Sequence, residues 1–153
     1  MRFTTSSTLS AFSISPASFL ASRPDIHNLI AGAMVFRTAP NTINSPDGTA
    51  APTTVTAATH LETLLLQRAL SDSFPLRWEI PGGTADPRLD ATVAGVAVRE
   101  LWEETQLRAR RLVCPVGLGL APGVASLAML GEAEDARADA DAEWSSGCQY
   151  TVV

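Results

Sequence analysis

Apolar positions are strongly segregated along this chain, and their spacing changes from one stretch to the next. Leu29-Ile30-Ala31-Gly32-Ala33-Met34-Val35-Phe36 is an unbroken apolar run that predicts a buried strand, and its eight residues are too few to span a membrane. Leu61 to Gln67 predicts a second strand. The Thr-, Ala-, Pro-, Asn- and Ser-rich stretch from Thr38 to Thr59 predicts a long flexible loop between them, so the two strands are expected as antiparallel neighbours in a mixed sheet. Trp78-Glu79-Ile80 predicts a short strand running into a glycine turn at Pro81-Gly82-Gly83. From Ala94 the period becomes helical, with Ala94, Ala97, Val98, Leu101 and Thr105 on one stripe, Asp90 as the expected N-cap and Thr92 just inside.

Beside that stripe the helix carries three acids. Glu100, Glu103 and Glu104 stand at i, i+3 and i+4, within an arc of about 100°. They repel one another unless a positive charge sits among them. Carboxylates at the edge of a core suit a hard cation such as Mg²⁺ or Mn²⁺, which leaves coordination positions for water and phosphate oxygens. A plainer reading is an exposed helix laced with weak i,i+4 pairs, Arg99 with Glu103 and Glu104 with Arg108.

The upstream context favours the metal. Strand, glycine loop and the segment Arg99-Glu100-Leu101-Trp102-Glu103-Glu104 together resemble the signature of the Nudix hydrolase family, G-x5-E-x7-R-E-U-x-E-E-x-G-U with U aliphatic. Arg99 to Glu104 match throughout, and Leu107 fills the last aliphatic position. Glu79-Ile80-Pro81-Gly82-Gly83 is the lead-in common in that family, and Leu64 to Ala69, Asp72 to Pro75 and Trp78 resemble the strand and loop before the box in fungal members. The resemblance covers residues 26–112. Two departures stand out. Two extra residues separate Gly83 from Arg99, so that Ala91 occupies the place of the first Glu and Asp90 is the nearest acid; and Gln106 replaces the glycine that ends the helix. A side chain at that left-handed position costs roughly 1 kcal/mol.

The resemblance implies an α/β/α sandwich around a mixed sheet, and hydrolysis of a nucleoside diphosphate linked to another group X. It implies Glu103 and Glu104 as metal ligands, Glu100 as a further ligand or the water-activating base, and the Gly82 carbonyl as a completing ligand. Arg99 is implied to orient a carboxylate through its bidentate fork, and Gly83 to bring the backbone close to the metal. The base and X are selected outside the box, so the substrate within this class stays open, as does the oligomeric state.

Composition sets outer limits. At 153 residues the chain is about one domain, and a net charge of −5 offers no basic face for nucleic acid, so a nucleotide-sized small molecule is the expected partner. All eleven basic residues are Arg, a bias of coding rather than function. Cys114 and Cys148 form no C-x-x-C, and read as unpaired thiols; His27 and His60 stand alone, as surface or packing residues. Residues 1–24 form a Ser/Thr-rich extension with no acid before Asp25, a composition that fits either a mitochondrial transit peptide or the family's own extension on a cytoplasmic protein. Residues 25–112 are expected to be the Nudix domain, with the box at about 83–107, and residues 113–153 an atypical Gly/Ala-rich tail. Leu112 to Leu130 is uncharged and follows Arg108, Arg110 and Arg111, which fits a membrane anchor by charge and length but not by its prolines and glycines. The tail also admits a chain that leaves the sandwich incomplete after the Nudix helix. Three classes of function follow: a metal-dependent hydrolase, a nucleotide- or protein-binding module without turnover, and an incomplete or tethered fragment.

Overall fold

The computed structural model describes residues 2–40, 59–121, 123–135 and 150–152. Its centre is β2 (Ile26–Pro40), the predicted apolar run extended at both ends. Leu29, Ala31, Ala33 and Val35 alternate onto one face and are buried, while Ile30 and Met34 on the other are half-buried. β3 (Thr59–Gln67) pairs antiparallel with the far half of β2, Phe36 opposite Thr63, as the sequence predicts. Most of the loop expected between them, and Cys148, lie outside the described residues.

The stretch read as an atypical tail supplies the other side of the sheet. β6 (Leu107–Ala121) and β7 (Gly123–Asp135) form a long antiparallel hairpin, and β7 runs parallel to β2 with Leu29 opposite Ala125 and Ala33 opposite Met129. Leu112 to Leu130 is therefore folded back on itself within the sheet, which corrects the membrane-anchor reading. The physical reason is its alternation: Ala125, Leu127 and Met129 point into the core while Ser126 is exposed, a period of two that no spanning helix needs. Among the described residues no helix is long and apolar enough to cross a membrane. β6 passes position 112 without interruption, and the hairpin restores strands that the incomplete-sandwich reading leaves out.

The N-terminal segment is also built in. β1 (Thr4–Thr5) adds parallel to β6, the 3-10 turn Ser7–Phe12 buries Leu9 completely, and α1 (Pro16–Ala21) brings Phe19 into the same core. The Val93 N–H donates to the Ile14 carbonyl at 2.9 Å, tying this segment to the start of α2 (Val93–Thr105). The strand order is β1-β6-β7-β2-β3-β4, with β4 at Trp78–Glu79; β5 (Gly82–Thr84) pairs with β2, and β8 (Tyr150–Val152) with β3. The architecture is thus mixed α/β on a mixed sheet. Of the two helical layers of a sandwich, the described residues supply the one built from α2 and the N-terminal turns.

Candidate metal and diphosphate site

Helix α2 positions the acids because its buried stripe leaves no other orientation. Val93, Ala94, Ala97, Val98, Leu101 and Thr105 are buried, so Arg99, Glu100, Glu103 and Glu104 are carried along one border of the sheet. The N-cap is Thr92, whose hydroxyl accepts the Gly95 N–H at 2.9 Å; Asp90 is not the cap, because its carboxylate is used elsewhere. At the other end Gln106 adopts φ +62°, the left-handed cap for which glycine is the usual choice. Its N–H and its side-chain amide both donate to the Trp102 carbonyl at 2.9 Å, so the amide partly offsets the strain.

Gly82 and Gly83 lie in a strand rather than in the predicted turn. Gly82 stands opposite Gly32 and Gly83 opposite Ala31. A Cβ on Gly82 would lie 2.7 Å from the Gly32 Cα, and one on Gly32 would lie 2.6 Å from the Pro81 carbonyl oxygen, so the two chains can approach only as glycine. Gly83 has a different purpose. A Cβ there would fall 2.5 Å from Oε1 and Cδ of Glu100, which means that the carboxylate occupies the space a side chain would fill.

Arg99 is the hub. Its Nε and Nη2 donate to Oδ1 and Oδ2 of Asp90, both at 2.9 Å, forming the bidentate fork. Nη2 also reaches the Thr84 carbonyl at 3.1 Å, and Nη1 meets Oε1 of Glu100 at 2.8 Å and Oε2 of Glu103 at 2.9 Å. Asp90 is buried and accepts the Asp86 N–H as well, at 2.8 Å. The carboxylate in the fork therefore comes from the acid that precedes Ala91. This positioning role was within reach of the sequence, since Asp90 is the nearest acid to the vacant box position.

Glu104 lies next along the border, its Oε2 accepting the Gly82 N–H at 2.9 Å. Burial pushes the carboxyls of Glu100 and Glu104 above the ordinary range; Arg99 opposes this at Glu100 and the Gly82 N–H at Glu104, while neighbouring acids add to it at both. Glu103 is the outermost, about half exposed. Among the described residues, no three Asp, Glu, His or Cys side chains converge in the arrangement of a metal site. Glu100 and Glu103 are turned onto the guanidinium and Glu104 onto a backbone N–H. The donor set nevertheless fits a hard divalent ion: all its side-chain donors are carboxylate oxygens, they crowd one another at a core edge, and a cation relieves both the repulsion and the burial cost.

Arg68 was not foreseen as a member of this region. Its Nη1 donates to both oxygens of Glu79 at 2.8 Å, and its Nη2 lies 2.7 Å from Asp72. Only the acid in the lead-in Glu79-Ile80-Pro81 hinted at a partner. At the opposite end, a cleft of about 340 Å³ opens beside the start of α2, walled by Phe3, Leu89, Ala91 and Val98 with Asp90 and Arg99 at its edge. His27 is exposed and Cys114 is a half-buried free thiol, both away from the acids.

Residues 49–128 match the NUDIX domain, and the chain belongs to that family. Among solved structures it is similar to a NUDIX hydrolase from Nitrosomonas europaea, with 18% identity, 73% of this chain and 50% of that one covered, and a TM-score of 0.45. A further NUDIX hydrolase from the same organism gives 14%, 82%, 70% and 0.49. The Nudix hydrolase RenU from M. Smegmatis gives 20%, 83%, 72% and 0.44. The alignment spans about half the length of the first of these structures. No curated protein matches.

Proposed function

We propose that the chain is a divalent-metal-dependent hydrolase that adds water across the diphosphate bond of a nucleoside diphosphate linked to a group X, giving a nucleoside monophosphate and phosphorylated X. The observation that carries this reading is the row of Glu100 and Glu104 packed against Gly83 and Gly82, with Arg99 fixed behind it by Asp90. Glu103, Glu104 and the Gly82 carbonyl would hold Mg²⁺ or Mn²⁺, with Glu100 a further ligand or the base. Such an ion, when bound, neutralises diphosphate oxygens and lowers the pKa of a coordinated water.

The chain's own residues supply the rest. Burial raises the basicity of the Glu100 carboxylate, which suits it to take the proton of the attacking water at a carboxylate oxygen. Arg99 keeps that carboxylate beside Gly83, and the Asp90 fork keeps Arg99 from turning to solvent. The close β2–β5 approach leaves the Gly82 backbone rigid where it meets Glu104.

A second reading, a nucleotide-binding module without turnover, is favoured by one observation: Arg99 already engages both Glu100 and Glu103. Turnover of nucleoside diphosphate sugars in Mg²⁺ separates the two. Under the hydrolase reading Glu104→Gln lowers turnover at least about a hundredfold while the circular dichroism spectrum is unchanged, because a metal ligand contributes several kcal/mol to the transition state. Equal turnover in parent and variant would overturn the site assignment, and ligand binding with no turnover in the parent would establish the second reading.

A further inference from the structure

The cleft beside the start of α2 has a braced outer wall. This wall is the loop of residues 85–91, within the stretch that carries two residues more than the family pattern. The Asp90 carboxylate accepts the Asp86 N–H and the Asp86 carboxylate accepts the Arg88 N–H, both at 2.8 Å. The Leu89 and Asp90 N–H groups return to the Asp86 carbonyl at 3.0 and 2.8 Å. So held, the loop keeps Leu89 at the rim of the cleft with 67% of its surface exposed. Phe3 closes the cleft from the N-terminal segment, and Ala91 and Val98 complete its apolar lining. On the α2 side the floor is Gly95. No positive φ calls for glycine there, and an added Cβ would meet only the Thr92 hydroxyl, at 3.1 Å. The helix therefore gives up stability relative to alanine for no reason of its own backbone, and gains open space.

The polar groups at the edge of this cleft are already committed. All five N–H groups of Arg99 have acceptors: Asp90 for Nε, Asp90 and the Thr84 carbonyl for Nη2, Glu100 and Glu103 for Nη1. Asp90 keeps only 2% of its side chain exposed, and the Thr92 hydroxyl accepts the Gly95 N–H. An occupant rich in hydroxyls would give up hydrogen bonds to water with little to replace them, whereas an apolar one gains from burial. The cleft is also continuous with the acidic row, because Arg99 walls the one and touches Glu100 at 2.8 Å and Glu103 at 2.9 Å in the other. Gly95, Arg99 and Glu103 follow at i, i+4 and i+8 on one side of α2, so floor, shared wall and outermost acid span about 12 Å along the helix. We propose that the cleft receives the group X of the substrate, and that X is an apolar, uncharged alkyl or aryl group in place of a sugar. This deepens the hydrolase reading and rests on it for the position of the diphosphate at the acids. The volume of about 340 Å³ lies at the lower end of the roughly 300–1,000 Å³ of small-molecule sites, room for one ring or a short chain and not for a whole nucleotide.

The test holds the nucleoside constant and varies X, using uridine diphosphate esterified at its terminal phosphate with hexanol, with phenol or with glucose. Affinity is measured calorimetrically on the full chain with Ca²⁺ replacing Mg²⁺, so that binding is read apart from turnover, and steady-state rates are measured in Mg²⁺. The parent is expected to bind the hexyl and phenyl esters at least about tenfold more tightly than the glucose ester, through burial of the apolar group. Leu89→Ser, at an exposed side chain, and Gly95→Leu, which fills the floor, are each expected to bring the three esters to within about twofold of one another, in KM as in affinity. Methyl NMR signals of Leu89 and Val98 are expected to shift further with the hexyl ester than with the glucose ester. Equal affinity for the three esters in the parent would overturn the inference. So would a preference that survives in Leu89→Ser, whether or not Gly95→Leu folds. If the parent shows the preference, loses it in Leu89→Ser and hydrolyses none of the esters, the inference holds and the hydrolase reading falls. If Glu104→Gln abolishes turnover but the parent binds the three esters alike, the inference alone falls. A parent that neither binds nor hydrolyses any of them overturns both.

Discussion

Deleting the Asp90 carboxylate is the perturbation whose size follows most directly from the geometry. Its side chain is 2% exposed, and its two oxygens accept Arg99 Nε, Arg99 Nη2 and the Asp86 N–H. Asp90→Ala therefore strands an N–H and strips a guanidinium of its bidentate partner. Breaking a buried pair by removing one member costs about 3–5 kcal/mol. Arg99 is 19% exposed and retains Glu100 and Glu103, which reduces the expected loss to about 2–3 kcal/mol. Against a typical total stability of about 5–15 kcal/mol, that is a large share, and it corresponds to a Tm lower by roughly 5–10 °C. Urea unfolding followed by circular dichroism, run as a double-mutant cycle with Arg99→Met, isolates the pair; the coupling is expected near 2 kcal/mol. A coupling below about 0.5 kcal/mol, the level of an exposed pair, would refute the claim that Asp90 fixes Arg99. Adding Ala91→Glu to Asp90→Ala should recover part of the loss, because it places an acid where the family box has one.

The two glycines of β5 should respond differently to alanine. Gly82→Ala meets the Gly32 backbone and is expected to cost about 1–3 kcal/mol of stability. Gly83→Ala meets first the carboxylate end of the Glu100 side chain, which can swing aside by giving up its contact with Arg99, so it should cost less than about 1 kcal/mol while cutting turnover sharply by displacing that carboxylate. Melting curves and rate assays on both variants check this, and equal stability loss in the two would contradict it. At the end of α2, Gln106→Gly removes a left-handed strain of about 1 kcal/mol and loses one amide bond to Trp102, for a net gain of about 0.5 kcal/mol; a variant less stable than the parent in urea would show that the amide bond outweighs the strain.

The parts of the fold set by local spacing were legible in the sequence. The α2 stripe and the apolar run of β2 have clear periods, and the left-handed cap at Gln106 follows from the box position it fills. What escaped depends on partners distant in sequence. Leu112 to Leu130 has no charge to mark its two faces, so its strand alternation shows only once Ala125, Leu127 and Met129 lie against the core. The N-terminal segment is Ser-rich because most of it faces water, and Leu9 and Phe19 anchor it, with Phe3, Phe12 and Leu20 packed partly buried beside them. Gly82 and Gly83 resemble a turn in sequence; the narrow gap to Gly32 makes them a strand. In the site, the acids and Arg99 were visible as a cluster, whereas Arg68 was hidden because one acidic partner, Asp72, lies in the loop that follows it and the other, Glu79, on the strand beyond that loop.

The parallel pairing of β2 with β7, Ile26 opposite Gly123, joins the early and late parts of the chain at the middle of the sheet. Such a contact closes a very long loop before it returns any stabilisation, so this chain should fold slowly for its size and not before β7 has been synthesised. Until β7 arrives, the nascent chain carries β2 with one edge open and with Leu29 and Val35 lacking the strand beside them, a state prone to associate with other unfinished copies. Yield on refolding should consequently fall with protein concentration, and cellular production should depend on chaperones that shield a strand waiting for its neighbour.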